Sequence, residues 1–481
     1  MMEERLLFEF LQVAIGIRES VSVGISDADW HRLFDFCKKQ SLVGVGFTAV
    51  EKLHAIGVVC PAKLRMQWMA LALQIENRNA LLNEQCKKLT EQYGHDGLST
   101  CILKGQGNCL NYPEELRNRR QCGDIDVWCI PPKEGLNIAV ATGDKDEEYV
   151  NYKGVNAVIE YVRMQYRLKG IDANPKACYH HIEAPEMDGT EVEVHYRPAF
   201  LRSPLRNWKM QRWFRIHSDE CMKNRSYLGF SMMTTSVNVV YQMCHLYTHV
   251  FEGGIGLRQL MDYYFALRVW HNDVMECKDL QSQGMWSEGL GKRVMSKREV
   301  FYVLKSFGMG KFAGAVMWVL NEVFGGGNEN LSNHRMERRN TEECPQADGE
   351  GRQQEQHKTT LGPQADGDEW SDTAKLMSTD EINNERIMLR NGQELKKNIF
   401  VPWMICEPNE KEGRRLLAEI MQGGNFGQYD TRDVALKNGG MMKHGVWKLK
   451  RVMRLVRSYP EEALWEPVFR VYHLLWRGIN G

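Results

Sequence analysis

The sequence predicts an α+β protein, a small mixed sheet embedded in a mostly helical chain. Two observations lead there. Apolar side chains recur at three- and four-residue steps before about residue 98 and again after Pro198, the period of a helix with one buried face. Between those stretches, short apolar or alternating runs are punctuated by glycine, as strands and turns are. With 43% hydrophobic and 10% aromatic residues over 481 positions, the chain can bury real cores.

From Glu3 to about Tyr93 the pattern is helical. Ser26 lies three residues before Asp29, a capping-box start to DADWHRLFDFCKKQ with Asp in place of the usual Glu. After Pro61, Leu64, Trp68, Leu71, Ile75, Leu82, Cys86 and Leu89 mark one face, and Gly94 is placed to end the helix. That stripe reads as core rather than as a cofactor site. Near residue 98 the texture changes: LSTCILK reads as a short buried strand, Gly105 and Gly107 break it, and a polar or helical stretch leads to a second strand, GDIDVWCI. ACYHHIEA and TEVEVHYR are two further strands joined by PEMDG, where Asp188-Gly189 signals a turn inside a loop longer than two residues.

Helix-like segments then run to about Val323. From Gly325 to about Asn391 the residues are mainly polar and PQADG occurs twice, at 345–349 and 363–367, so a disordered insert is expected. The last segment reads as helices separated by GGNFG and NGG, with no active site of its own expected. The expected division is 1–97 helical, 98–200 the sheet core, 201–324 helical, 325–391 the insert and 392–481 helical.

Sixty-two basic residues balance 62 acidic ones, which argues against a dedicated nucleic-acid binder but leaves room for one basic cleft. Thirteen cysteines without a C-x-x-C pair fit neither a disulfide framework nor a zinc ribbon. No uninterrupted apolar run approaches the roughly 18 residues of a membrane helix, and acidic residues stand where a signal peptide wants basic ones. Reduced thiols and a cytoplasmic location are expected.

GDID carries the most chemistry. Asp124 and Asp126 are two apart on a strand, so both carboxylates share a face, and two hard oxygen ligands suit Mg²⁺. Alone, such a pair is common on exposed strand ends. Ahead of it, Leu103-Lys104-Gly105-Gln106-Gly107 can turn backbone N–H groups toward a triphosphate. After it, TEVEVHYR places Glu191, Glu193, His195 and Arg197 on one face. A third carboxylate on a neighbouring strand completes a two-metal site for in-line displacement at phosphorus.

LKGQGNCLNYPEELRNRRQCGDIDVW resembles the signature of the uncharacterised nucleotidyltransferase family, within the polymerase-beta-like superfamily. VEVHYRP, HLYTHVFEGGIGLRQLMDYY, EKEGRRLLAEIMQGGNFGQYD and SYPEEALWEPVFRVYHLLWR extend the resemblance from about residue 85 over most of the chain, the insert excepted. The resemblance implies a nucleotidyltransferase core that moves a nucleoside monophosphate from an NTP to an acceptor and releases pyrophosphate, in a bacterial setting. It implies Asp124 and Asp126 as metal ligands, Glu193 as the third acid, and Lys104, Gly105, Gly107 and Arg120 on the phosphate side. Its departures are Gly-Gln-Gly where Gly-Ser is common, a longer separation to the acidic pair, and Glu where Asp is common, with Glu191 as a substitute for Glu193. These keep a second reading open, a nucleotide-binding regulatory or scaffold protein with little turnover, and a third in which the acceptor is RNA.

Other motifs have blander alternatives. His245 and His249 are four apart, but no Glu follows His245, so the H-E-x-x-H zinc pattern fails. With His195, Arg258 and Asp262 they form a candidate acceptor pocket, although Arg258 and Asp262 equally read as an i, i+4 ion pair. His180 and His181 read as exposed residues of a sheet edge. Arg117, Arg119 and Arg120 suit phosphate recognition, with at least one expected to be solvated. Residues 443–457 read as a surface helix, with nucleic-acid or membrane contact the lesser alternative.

Overall fold

Four helices open the chain: α1 (Met2–Ala14), α2 (Asp27–Lys39), α3 (Val43–Ala55) and α4 (Ala62–His95). The structure is a computed structural model and describes residues 2–140, 148–282, 294–325 and 402–480. α2 starts on a reciprocal box in which the Asp29 N–H donates to Ser26 Oγ and the Ser26 N–H donates to the Asp29 carboxylate. Asp therefore does the work of the usual Glu.

At 34 residues α4 is about 50 Å long and joins two cores. Its first half buries Leu64, Trp68 and Ala72 among helices; its second half buries Leu82, Cys86, Leu89 and Tyr93 under the sheet. Gly94 does not end it. The helix continues to His95, and Gly97 makes the turn with φ +89°.

The main sheet has the order β1-β2-β6-β5, with β1 at Ser99–Ile102, β2 at Ile125–Ile130, β5 at His181–Met187 and β6 at Thr190–His195. β2 runs antiparallel to β1 and parallel to β6, and β6 antiparallel to β5. Two short helices, α5 (Gln106–Cys109) and α6 (Glu114–Arg117), fill the connection from β1 to β2. Along β2, Ile125, Val127 and Cys129 enter the core shared with α4, while Trp128 enters the helical core. Asp126 alternates with them and so lies on the Trp128 face.

The β5–β6 hairpin corrects the expected loop. Met187 pairs with Thr190, so Asp188-Gly189 alone makes the turn, both residues at positive φ (49° and 73°), the geometry of a primed turn. β5 runs on through Pro185 and Glu186 by way of a bulge between Ala184 and Met187, which an edge strand tolerates.

The sequence pattern passed over β3 (Leu136–Val140) and β4 (Glu148–Tyr152), a separate antiparallel pair in which Asn151 donates to Asn137 across the strands. α7 (Gly154–Leu168) follows and packs Val158, Ile159 and Val162 into the sheet core.

The helical layer comprises α8 (Pro204–Ile216), α9 (Ser218–Lys223), α10 (Thr235–Glu252), α11 (Leu257–Ser282), α12 (Lys297–Ser306) and α13 (Gly310–Phe324). It resumes with α14 (Glu410–Gly423), α15 (Val434–Lys437), α16 (Gly440–Leu455) and α17 (Pro460–Asn480). α14 packs on α13, and the described residues form one compact unit. The expected insert lies outside the described residues, apart from Gly325 at the end of α13. Among the described residues, no helix is long and apolar enough to cross a membrane, and no cysteine is in a disulfide.

Candidate active site

The register that pairs β2 with β6 sets Asp126 beside Glu193 and Trp128 beside His195. Asp124 stands one residue ahead of β2. Lys104, just past β1, reaches between the acids, its Nζ 3.1 Å from Asp126 Oδ2 and 3.8 Å from Asp124 Oδ2. His195 Nε2 lies 3.0 Å from Asp126 Oδ1 and 3.3 Å from Glu193 Oε2. Glycine makes this approach possible: Gly105 turns the chain at φ +57°, and a Cβ on Gly107 would sit 3.0 Å from the Ile102 carbonyl.

The charges hold one another. Burial opposes the Lys104 ammonium, but Asp126, Asp124 and Glu193 outweigh it and hold the group above the ordinary lysine range. Burial also opposes a charge on His195, yet its bonds to Asp126 and Glu193 push it up to about 9. For Glu193, burial favours the neutral acid, while the His195 bond and the nearby His181 and Lys104 bring it down to about 2.

Asp126, Glu193 and His195 place one ligand atom each within 4.8 Å of one another. The Asp126 and Glu193 carboxylates, with that of Asp124 close by on Lys104, are an oxygen donor set that fits a divalent cation, while the His195 ring bridges the first two. Glu191 is exposed and takes no part in the cluster.

His180 and His181 are not the exposed edge residues expected. β5 is an edge strand, but both rings are half-buried and turn toward the site, His181 with its centroid 5.2 Å from His195 and His180 at 4.8 Å from Phe200. Burial and His195 hold His181 at about 4.

One cleft gathers Lys104, Gly105, Arg120, Asp124, His245, Arg258 and Asp262, so phosphate-side and acceptor-side candidates meet. Arg120 does not offer a free guanidinium there. It is 4% exposed, and Nε and Nη2 donate to the two Asp262 oxygens at 2.6 and 2.7 Å, with Tyr112 Oη donating to the same carboxylate at 2.7 Å. Asp262 thus pairs with Arg120 rather than with Arg258. Arg258 instead donates to the Gln121 carbonyl at 2.6 Å and lies over the Phe426 ring. Arg119 is tied to Glu51 and Glu76 and Arg117 to the Tyr112 carbonyl, so none of the three arginines is merely solvated.

His245 and His249 share a face of α10 with centroids 4.3 Å apart. Burial holds His245 below its ordinary range, and burial followed by Lys104 brings His249 down to about 3. Neither belongs to a group able to hold a metal among the described residues.

The sequence pattern missed several cleft residues, Asn108, Gln242, Leu246 and Gln259 among them, and Phe426 is the one that comes from the carboxy-terminal part. Its loop is held by interlocked glycine backbones: a Cβ on Gly427 would collide with the Gly253 carbonyl, and one on Gly256 would lie 2.7 Å from Asn425 Cα. The matching glycine strings GGIG and GGNFG were the available signal. Behind this interlock lies a larger cavity of about 290 Å³, lined in part by Arg451 and Asp430 and by no residue of the acidic strands.

Acids on adjacent strands beside a lysine–glycine turn are what transfer chemistry at a nucleotide phosphate asks of a scaffold, and they place the protein among nucleotidyltransferases. The chain belongs to the uncharacterised nucleotidyltransferase family, whose model matches residues 26–284. The match starts at the α2 cap, well before residue 85, and covers every cleft residue named above except Phe426; the carboxy-terminal strings lie outside it. No curated protein and no solved structure matches the chain.

Proposed function

We propose that the protein transfers a nucleoside monophosphate from an NTP to a hydroxyl-bearing acceptor in a Mg²⁺-dependent reaction that releases pyrophosphate. The side-by-side placement of Asp126 and Glu193, with Lys104 and His195 between the acids, is the observation that carries it. Asp124, Asp126 and Glu193 would hold the cation, which when bound offsets phosphate charge. Lys104 and the Gly105–Gly107 turn bind the triphosphate, and Lys104 stays cationic because its acids keep it so. Glu193 either ligates a second cation or takes the proton from the acceptor hydroxyl as that oxygen attacks the α-phosphorus. The bond from the α-phosphorus to the bridging oxygen breaks, and its electron pair leaves with pyrophosphate. His195 steadies both carboxylates. His245 and Arg258 line the acceptor side, with His249 against His245 and Phe426, whether the acceptor is a small molecule, a saccharide or a macromolecule, and the Arg120–Asp262 pair fixes the wall behind them.

Purified protein incubated with labelled NTPs, Mg²⁺ and an acceptor panel should transfer label, and transfer surviving Asp124→Ala with Asp126→Ala would sink the mechanism. A nucleotide-binding scaffold is the second reading, favoured by the Gly-Gln-Gly turn and the large helical flanks. NTP binding of equal strength with and without Mg²⁺, and no pyrophosphate, would select it.

A further inference from the structure

α17 carries an apolar stripe that the described residues leave uncovered. Leu464, Val468, Val471, Leu475 and Ile479 recur at three- and four-residue steps and are 53 to 82% exposed. Its opposite face is anchored: Phe469 stacks on Phe200 with centroids 5.1 Å apart, and Trp476 packs against Tyr196 beside the acidic strand β6. The adjoining helix α16 repeats the pattern, with Met442, Val446, Leu449 and Met453 at helical steps and 47 to 86% exposed.

The rim of this surface is cationic. Of the six Lys and Arg in residues 440–457, Arg451 is buried on the Val250 carbonyl and Lys450 and Arg454 pair with Asp433, which leaves Lys443, Lys448 and Arg457 for the rim, with no acid in that stretch. On α17, Glu462 and Glu466 are buried against Arg202, and Glu461 bonds to Arg206, so the acids face inward or are spent. Aliphatic stripes flanked by Lys and Arg on helices too polar to span are the makeup of a surface that lies in a lipid interface. A second copy would set cations against cations. Nucleic acid would leave the aliphatic side chains without a partner.

We infer that α16 and α17 dock the protein on an anionic lipid surface, apolar stripes in the headgroup boundary and basic side chains on lipid phosphates. The inference does not depend on the transfer chemistry.

Full-length protein sedimented with vesicles of equal parts phosphatidylglycerol and phosphatidylcholine should bind about tenfold more tightly than to phosphatidylcholine alone, and less tightly as salt rises. Val471→Glu with Leu475→Glu should cut binding by about tenfold or more with an unchanged circular dichroism spectrum. Lys443→Gln with Arg457→Gln, which leaves the stripe intact, should weaken binding several-fold on the anionic vesicles alone. No binding to anionic vesicles, or binding that the glutamate pair leaves intact, overturns the inference. So does a dimer in light scattering that the glutamate pair dissolves while vesicles are ignored, or retention on single-stranded RNA in their place.

Discussion

Two charge clusters, one lining a cleft through Arg120 and Asp262 and the other reaching it through Lys104 and Asp124, are built on opposite terms. Around Asp262 everything is closed: three donors from Arg120 and Tyr112 saturate the carboxylate, and both charged side chains are at most 5% exposed. Around Asp126 the cluster is open. Glu193 and Asp124 keep 31 and 38% of their side chains accessible, and His195 Nδ1 finds no acceptor among the described residues. A closed buried pair holds shape, and removing one member strands a charge. An open cluster holds ligand atoms in readiness. Chemistry should therefore fail when the open cluster loses a member, and folding when the closed pair does.

The largest effect expected is on Asp126→Ala, which should lower pyrophosphate release about a thousandfold or more while the protein still melts cooperatively. A variant within tenfold of the parent would break the contrast. Next, Asp262→Ala should cost about 3–5 kcal/mol in urea denaturation because Arg120 is left buried and unpaired. Arg120→Met with Asp262→Leu should recover most of that, and a double variant as weak as the single one would mean the pair does more than hold shape.

Smaller still is Gly427→Ala. A Cβ at φ +64° that meets the Gly253 carbonyl should cost about 1–3 kcal/mol and raise the KM for substrate as Phe426 shifts. An unchanged KM would remove Phe426 from the cleft's working parts. The smallest effect is on pH dependence in EDTA. His195 is raised from 6.5 to about 9 in the fold, so its contribution to stability is complete below pH 6.5 and is lost as pH rises through about 9. The parent's melting temperature should fall more between pH 7 and 10 than that of His195→Gln, and parallel curves would show that the open cluster adds nothing to stability.

What could be read from the sequence was whatever repeats or sits close along the chain. The α4 stripe, the Ser26–Asp29 cap and the order from β1 through the glycine turn to β2 are all local patterns, and all appear in the structure. β3 (LNIAV) and β4 (EYVNY) carry apolar side chains enough for strands and were passed over all the same, and Pro185 hid the second half of β5 because a bulge absorbs it. At the site, strand alternation pointed to Asp126 and Glu193, but their meeting depends on a parallel register that no local pattern encodes. The choice of Arg120 over Arg258 as partner of Asp262 is a contact across 142 residues, against which an i, i+4 spacing was the misleading local clue. Phe426 reaches the cleft only because two glycine strings, distant in sequence, leave room for each other's backbone.

That interlock bears on how the chain can be divided. Residues 402–480 meet the rest through α14 on α13, the Asn409 N–H on the Gly314 carbonyl, Glu462 and Glu466 on Arg202, and the glycine backbones themselves. None of these contacts needs the peptide link between the two parts. Fragments 2–325 and 402–480, made from separate messages in one cell, are expected to find each other and elute together on gel filtration; separate elution would show that covalent continuity is required. A cleft assembled in that way could be switched by supplying its second fragment.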